Sequence, residues 1–197
     1  MPLLGVLVET PVCPVEEFRD GNISPGAGHR ACSRACQARL PAGKRIGAAR
    51  ADLSACSAQA GSAPAKAGAE LINALEADGV RFSITADQDA AVKTLLRELP
   101  EAAWTEPVPG CGDELAEAVH TMTKTTAAFR RICKREIRRQ LALLDGPETP
   151  DVAHVVATNW SPEETATQDV LDWHNQRGQA ENMIKELKHG VGLERVP

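Results

Sequence analysis

Ser161-Pro-Glu-Glu-Thr-Ala-Thr-Gln-Asp-Val-Leu-Asp-Trp-His174-Asn-Gln-Arg177-Gly-Gln-Ala-Glu181-Asn-Met-Ile-Lys185-Glu-Leu-Lys188 reads as one long amphipathic helix. Ser161 suits the N-cap, Pro162 the first helical position, and Glu164 completes a capping box. His189-Gly190 supplies the stop. Ala166, Val170, Trp173, Ala180, Ile184 and Leu187 recur at helical spacing, so one stripe is buried. His174, Glu181, Lys185 and Lys188 fall about a quarter turn from that stripe, with Arg177 between the two faces. A carboxylate on the border of a core, flanked by cations, suits an acid that grips a metal while its neighbours grip phosphates. On geometry alone the solvated face of an ordinary surface helix is the better reading.

Outward from this helix, Val152 to Thr158 is an apolar strand leading to Trp160. Ahead of it, Arg130-Arg131-Ile-Cys-Lys134-Arg135-Glu-Ile-Arg138-Arg139 packs six cations into ten residues. One reading is a charged face partly neutralised by Glu136; the other is a phosphate-contact patch. Phe129, Cys133, Ile137 and Leu141 recur at four-residue steps, which favours a helix within Glu114–Leu144, although a β reading stays open.

The N-terminal half alternates strands and helices. Leu3 to Glu9 is a continuous apolar run that fits a buried strand, and Val12 to Arg19 a second one before the turn at Asp20-Gly21-Asn22. Ser24-Pro25 caps a helix running to about Leu40. Arg45 to Ala51 forms a short strand that delivers Asp52 at its C-terminal end, where α/β folds place their chemistry. Leu53 to Gly68 is rich in Ala, Ser and Gly and reads as a flexible insert. Glu70–Ala77 is helical, Val80–Ala86 alternates like a strand, and Asp87–Leu99 is a second amphipathic helix. Pro100–Gly112 is a connection carrying Trp104.

The 197 residues suffice for one domain that buries roughly 70% of its unfolded surface. A net charge of −5 excludes wholesale electrostatic attraction to nucleic acid, so any such contact rests on local basic patches. Aromatics make up only 3%, with no Tyr, and the core must rest on Ala, Val, Leu and Ile. The six cysteines show no metal-ligand spacing and read as small buried thiols of a reducing compartment. Met1-Pro-Leu-Leu-Gly-Val-Leu-Val is too short for a signal peptide, and no apolar run reaches membrane-spanning length, so a cytoplasmic protein without a membrane partner is expected.

The spacing Arg177-x3-Glu181-x6-Lys188 resembles the Tyr-Arg-Glu-Lys signature of bacterial insertion-sequence transposases with a DDE catalytic domain. The string WHNQRGQAENMIKELKHGVGLERVP resembles such proteins along its whole length, with His174 at the tyrosine position. Arg50-Ala51-Asp52 looks like the segment carrying the second catalytic aspartate, and AELINALEADGVRFSITADQDAAV, from Ala69, resumes the likeness. The resemblance implies an α/β fold: a ribonuclease-H-like (retroviral integrase-like) catalytic core, incomplete, with an insertion between its second and third acidic residues. Residues 1–86 would be the partial core, with the flexible insert at 53–68. Residues 87–150 would be the inserted region, of mainly β character, and 151–197 the returning strand and Glu-bearing helix.

The implied activity is metal-dependent phosphodiester hydrolysis and strand transfer, with Asp52 and Glu181 as the second and third acidic ligands of Mg²⁺ or Mn²⁺. Arg177 and Lys188, assisted by Lys185, would bind phosphates of a double-stranded transposon end, and His174 would take the tyrosine's positioning role. The first acid, which the family carries on a strand before the segment resembled by Pro2-Leu-Leu-Gly, has no counterpart here. A truncated transposase with weak ion binding and weak or absent activity is the expectation. The alternative is a non-catalytic DNA-binding or subunit-interacting fragment that inhibits intact transposase.

Overall fold

In the computed structural model, the structure describes residues 3–7, 12–17, 28–52, 63–86, 90–122, 124–136, 151–176, 178, 182, 185 and 186. The strands are β1 (Leu3–Leu7), β2 (Val12–Glu17), β3 (Ala48–Asp52), β4 (Arg81–Thr85), β5 (Asp113–His120), β6 (Phe129–Glu136) and β7 (Asp151–Thr158). The helices are α1 (His29–Ala38), α2 (Ala63–Ala77), α3 (Ala90–Glu98) and α4 (Thr167–Asn175). The chain is thus a mixed α/β protein.

Strands β3, β4, β7, β6 and β5, in that order, form one mixed sheet. β3 and β4 run parallel, connected by α2, whereas β4, β7, β6 and β5 are antiparallel neighbours. On one face α2 sets Leu71, Ile72 and Leu75 against Phe82 and Ile84 of β4 and Ala157 of β7. Val92 of α3 joins Trp104, Ala116, Cys133 and Val155 on that same face. On the other face α4 seats Val170 and Leu171 against Leu115, Ile132 and Val156. Residues two apart on a strand share a face, and the three clusters follow that alternation.

β1 and β2 form a separate antiparallel pair with an irregularity between Gly5 and Leu7. It packs against α1, where Val15 meets Cys32 and Cys36. A Cβ at position 5 would overlap the Cys36 sulfur, so glycine is what allows this close approach. Leu3–Leu7 therefore pairs in a hairpin beside a helix, with Gly5, Val6 and Leu7 only half-buried, rather than being enclosed on both faces.

Two expectations are corrected and one open choice is narrowed. The flexible insert at 53–68 is helical from Ala63 onward, because alanine is the best helix former and Pro64 is tolerated in a first turn. Gly68 and Ala69 are already buried there. α2 ends with Gly79 at φ +64°, and Val80 N–H reaches back 2.8 Å to the Leu75 carbonyl, a glycine-dependent helix stop.

Of the open choice within 114–144, residues 114–120 and 129–136 are strand, β5 and β6 pairing with Asp113 opposite Glu136 and His120 opposite Phe129, while 137–144 lie outside the described residues. A four-residue step is even, so Phe129 and Cys133 share a strand face as readily as a helix face. β6 also pairs with β7, so β5 and β6 belong to the main five-stranded sheet.

The C-terminal helix starts at Thr167 instead of just after Ser161. Ser161 does cap, its hydroxyl accepting the Glu164 N–H at 3.3 Å, but the cap closes a turn. The helix begins only after Ala166, which is extended at φ −62°, ψ 152°. It reaches Asn175, and helical backbone recurs at Gly178, Asn182, Lys185 and Glu186.

Candidate functional site

The sheet face beneath α4 carries a polar seam. On β4, Ser83 and Thr85 point away from the apolar cluster of Phe82 and Ile84 and meet His174. Ser83 Oγ lies 2.5 Å from His174 Nδ1, and Thr85 Oγ1 lies 3.1 Å from Nε2. All three are buried, His174 at 1% exposure and Ser83 at 0%. An imidazole with one N–H and one bare nitrogen offers one donor and one acceptor, which two hydroxyls match. His154 of β7 stands beside this ring, centroids 5.7 Å apart.

His174 was expected at the border of the buried stripe. It lies inside instead: Val170, Leu171 and His174 form the buried face of α4, while Trp173 is only half-buried. A side chain so enclosed does not touch DNA in this conformation; it locks α4 onto β4. Ser83, Thr85 and His154 were not singled out from sequence. The available signal was the Ser/Thr alternation of β4, which reads as solvated but is buried under a helix.

Arg50 forms the second tie. Its Nη1 donates to the Trp173 carbonyl at 2.6 Å, and its guanidinium lies 4.4 Å over the Trp173 ring. Trp173 also meets Trp160 edge-on, at 4.7 Å and 87°. Asp52 is the last residue of β3, directly opposite Thr85 in the parallel register. Backbone pairing thus sets Asp52 beside the residue that holds His174, and Arg50 binds the same strand to α4. Lys185 is helical and exposed. Arg177, Glu181, Lys188, Arg138 and Arg139 lie outside the described residues.

The basic cluster on β6 is consumed internally. Arg130, 7% exposed, grips Glu117 with Nε at 2.8 Å and Nη2 at 2.6 Å. It also donates to the Thr165 carbonyl and to Thr167 Oγ1, and the Thr167 hydroxyl bonds Glu117 in turn. This knot fixes where α4 begins. Burial tends to raise the Glu117 carboxyl, but hydrogen bonds from Arg130 and Thr167 outweigh it and hold the group below its ordinary range.

Arg131 is buried, its guanidinium 5.8 Å from the Phe129 ring. Lys134 pairs with Asp113 at 2.8 Å. Arg135 bonds Glu114 at 2.6 Å and Glu101 at 2.5 Å, and covers Trp104 at 4.3 Å. The hydrogen bond from Arg135 holds Glu101 below its usual range, and Glu101 raises Arg135 in return. Arg130, Lys134 and Arg135 are thus held by acids of the protein itself, and Arg131 is buried. β5 supplies acids opposite or diagonal to these cations, and cross-strand neighbours of opposite sign pair.

Cys32, Cys36 and Cys133 are buried free thiols, Cys13 is half-buried and Cys111 is exposed. Among the described residues no three His, Cys, Asp or Glu side chains cluster as a metal-binding group, and no helix is long and apolar enough to cross a membrane. No family model matches the chain, and no curated protein is similar to it at a significant level.

Proposed function

We propose that the chain is a DDE-type transposase core of the Tyr-Arg-Glu-Lys family, with a ribonuclease-H-like arrangement around Asp52 and Glu181. The observation that carries this reading is the string from Trp173 to Pro197, together with the tie between β3 and α4. Asp52 ends a strand whose neighbour, Thr85, binds His174, and His174 precedes Glu181 by seven residues.

Divalent ions, when bound between such carboxylates, activate a water or a 3′-hydroxyl and stabilise the leaving oxygen. Carboxylate oxygens suit Mg²⁺. Asp52 and Glu181 are fewer carboxylates than a pair of ions needs, so weak ion binding is part of the reading. The roles that follow belong to the chain's own residues. Arg50 and His174 hold α4 at a fixed distance from β3. Arg177, Lys185 and Lys188 bind backbone phosphates of the DNA end.

A nicking assay on duplexes carrying the ends of the parent element, with Mg²⁺ or Mn²⁺, tests this. Weak, metal-dependent nicking removed by Asp52→Asn and by Glu181→Gln is the expected result. Nicking indifferent to both substitutions overturns the assignment. Duplex binding without nicking, combined with inhibition of an intact transposase, selects the alternative role as a non-catalytic inhibitor.

A further inference from the structure

With Arg130, Lys134 and Arg135 of β6 committed to internal pairs, a second group of exposed cations stands out among the described residues. From Gly21 to Ala51 there is not one carboxylate, yet the stretch holds Arg30, Arg34, Arg39, Lys44, Arg45 and Arg50 in a chain of net charge −5. Arg30, Arg34, Arg39, Lys44 and Arg45 are exposed. A merely solvated surface interleaves both signs, whereas a block of one sign is a footprint for a polyanion.

The block is also built. Gln37 on α1 donates to the Lys44 carbonyl at 3.1 Å and accepts the Ile46 N–H at 2.8 Å. One amide thereby pins the turn bearing Lys44 and Arg45 back onto the helix. Arg39, at the C-cap, donates to the Pro14 carbonyl at 2.5 Å and anchors that end to β2. Arg30 and Arg34 are one turn apart on α1 and share a face. Among the described residues none of Arg30, Arg34, Lys44 and Arg45 makes an ion pair within 4 Å. Glu70 and Asp78 of α2 line a groove together with Arg30 and Arg34, whereas the Lys44–Arg45 turn lies outside that groove.

We infer that α1 and the following turn form a binding surface for the phosphate backbone of duplex nucleic acid, centred on Arg34, Lys44 and Arg45. No Phe, Tyr or Trp occurs between Gly28 and Ala51, so the surface lacks the large aromatic platforms on which unpaired bases stack. It offers no amide or carboxylate array for base edges either; the contact reads charge, not sequence. The inference shares a nucleic-acid partner with the proposed function but uses none of its site residues.

The test measures anisotropy of a labelled random-sequence duplex against salt, from about 50 to 200 mM. This surface is expected to contribute about −3 to the log–log slope of the unsubstituted chain, since each phosphate contact contributes about −0.9. The triple variant Arg34→Gln, Lys44→Gln, Arg45→Gln loses most of that slope and at least about tenfold in affinity. Lys93→Gln with Arg97→Gln, exposed cations of α3, is the control and leaves the slope unchanged.

An unchanged slope in the triple variant overturns the inference, as does an equal loss in the control. Anionic vesicles that bind the chain through the same three residues and displace the duplex also overturn it. If nicking persists while the triple variant binds normally, this surface falls and the proposed function stands. If the duplex binds through α1 and is never nicked, the reverse holds.

Discussion

Ser83 Oγ and His174 Nδ1 lie 2.5 Å apart across 91 residues of sequence, both buried. The contact joins β4 to α4, and breaking it leaves a polar nitrogen enclosed. Ser83→Ala is expected to cost about 1–3 kcal/mol, because a buried nitrogen then lacks its hydroxyl. Ser83→Ala combined with His174→Phe should cost less than the sum of the singles. Urea unfolding of the four species measures this coupling, and strict additivity would refute the bond as a stabilising one.

Arg50 crosses from β3 to α4 with a hydrogen bond and a ring contact to one residue, Trp173. Lysine keeps the charge but loses the planar stack and the fixed fork. Arg50→Lys is therefore expected to lose about 1 kcal/mol. Amide exchange at Leu171–Asn175 should accelerate while β6 and β7 stay protected. Equal acceleration across the whole sheet would show a general loss of stability in place of a local tie.

Glu117 is the acid-sensitive member of the knot at the start of α4. Its carboxyl is held below the ordinary value of 4.5, so the folded state binds its proton less readily than the unfolded chain does. The associated stability is present above about pH 4.5 and is lost as pH falls through the depressed value. Glu117→Gln should weaken the fold at neutral pH and flatten the acid limb of the stability–pH curve. A variant whose acid limb stays parallel to the parent's would remove Glu117 from the account.

How much of this was legible beforehand follows from where the partners lie in sequence. The order of elements could be read because each apolar run and helix start is a local signal: Ser161 does cap, and Asp52 does end a strand. β6 was ambiguous because its four-residue apolar steps fit both periods. The fate of its cations was illegible, since Glu117 and Glu101 lie 13 and 34 residues from Arg130 and Arg135 and meet them only once β5 has paired. The start of α2 was missed because alanine-rich composition reads as slack in a loop and as strong propensity in a helix. For His174 the helical phase was right to within a quarter turn, and that quarter turn separates a border residue from a core residue.

The thiols offer a last check on packing. Burial is the main cause that pushes Cys32 up to about 12, with Cys36 adding to it, and burial pushes Cys133 up to about 11. Cys36 is raised as well, again chiefly by burial. A raised value means that the folded state keeps its proton when the unfolded chain has lost it. This contribution is intact below the ordinary value of 9.0 and fades as pH rises from there toward about 12. The thiolate is the reactive form, so these three sulfurs should resist a disulfide reagent at pH 8 on both access and ionisation. Cys111, exposed on the turn before β5, should react first and fast. Following labelling by mass spectrometry at each cysteine decides it: rapid modification of Cys32 or Cys36 in the folded chain would mean that α1 does not sit on the β1–β2 hairpin as described.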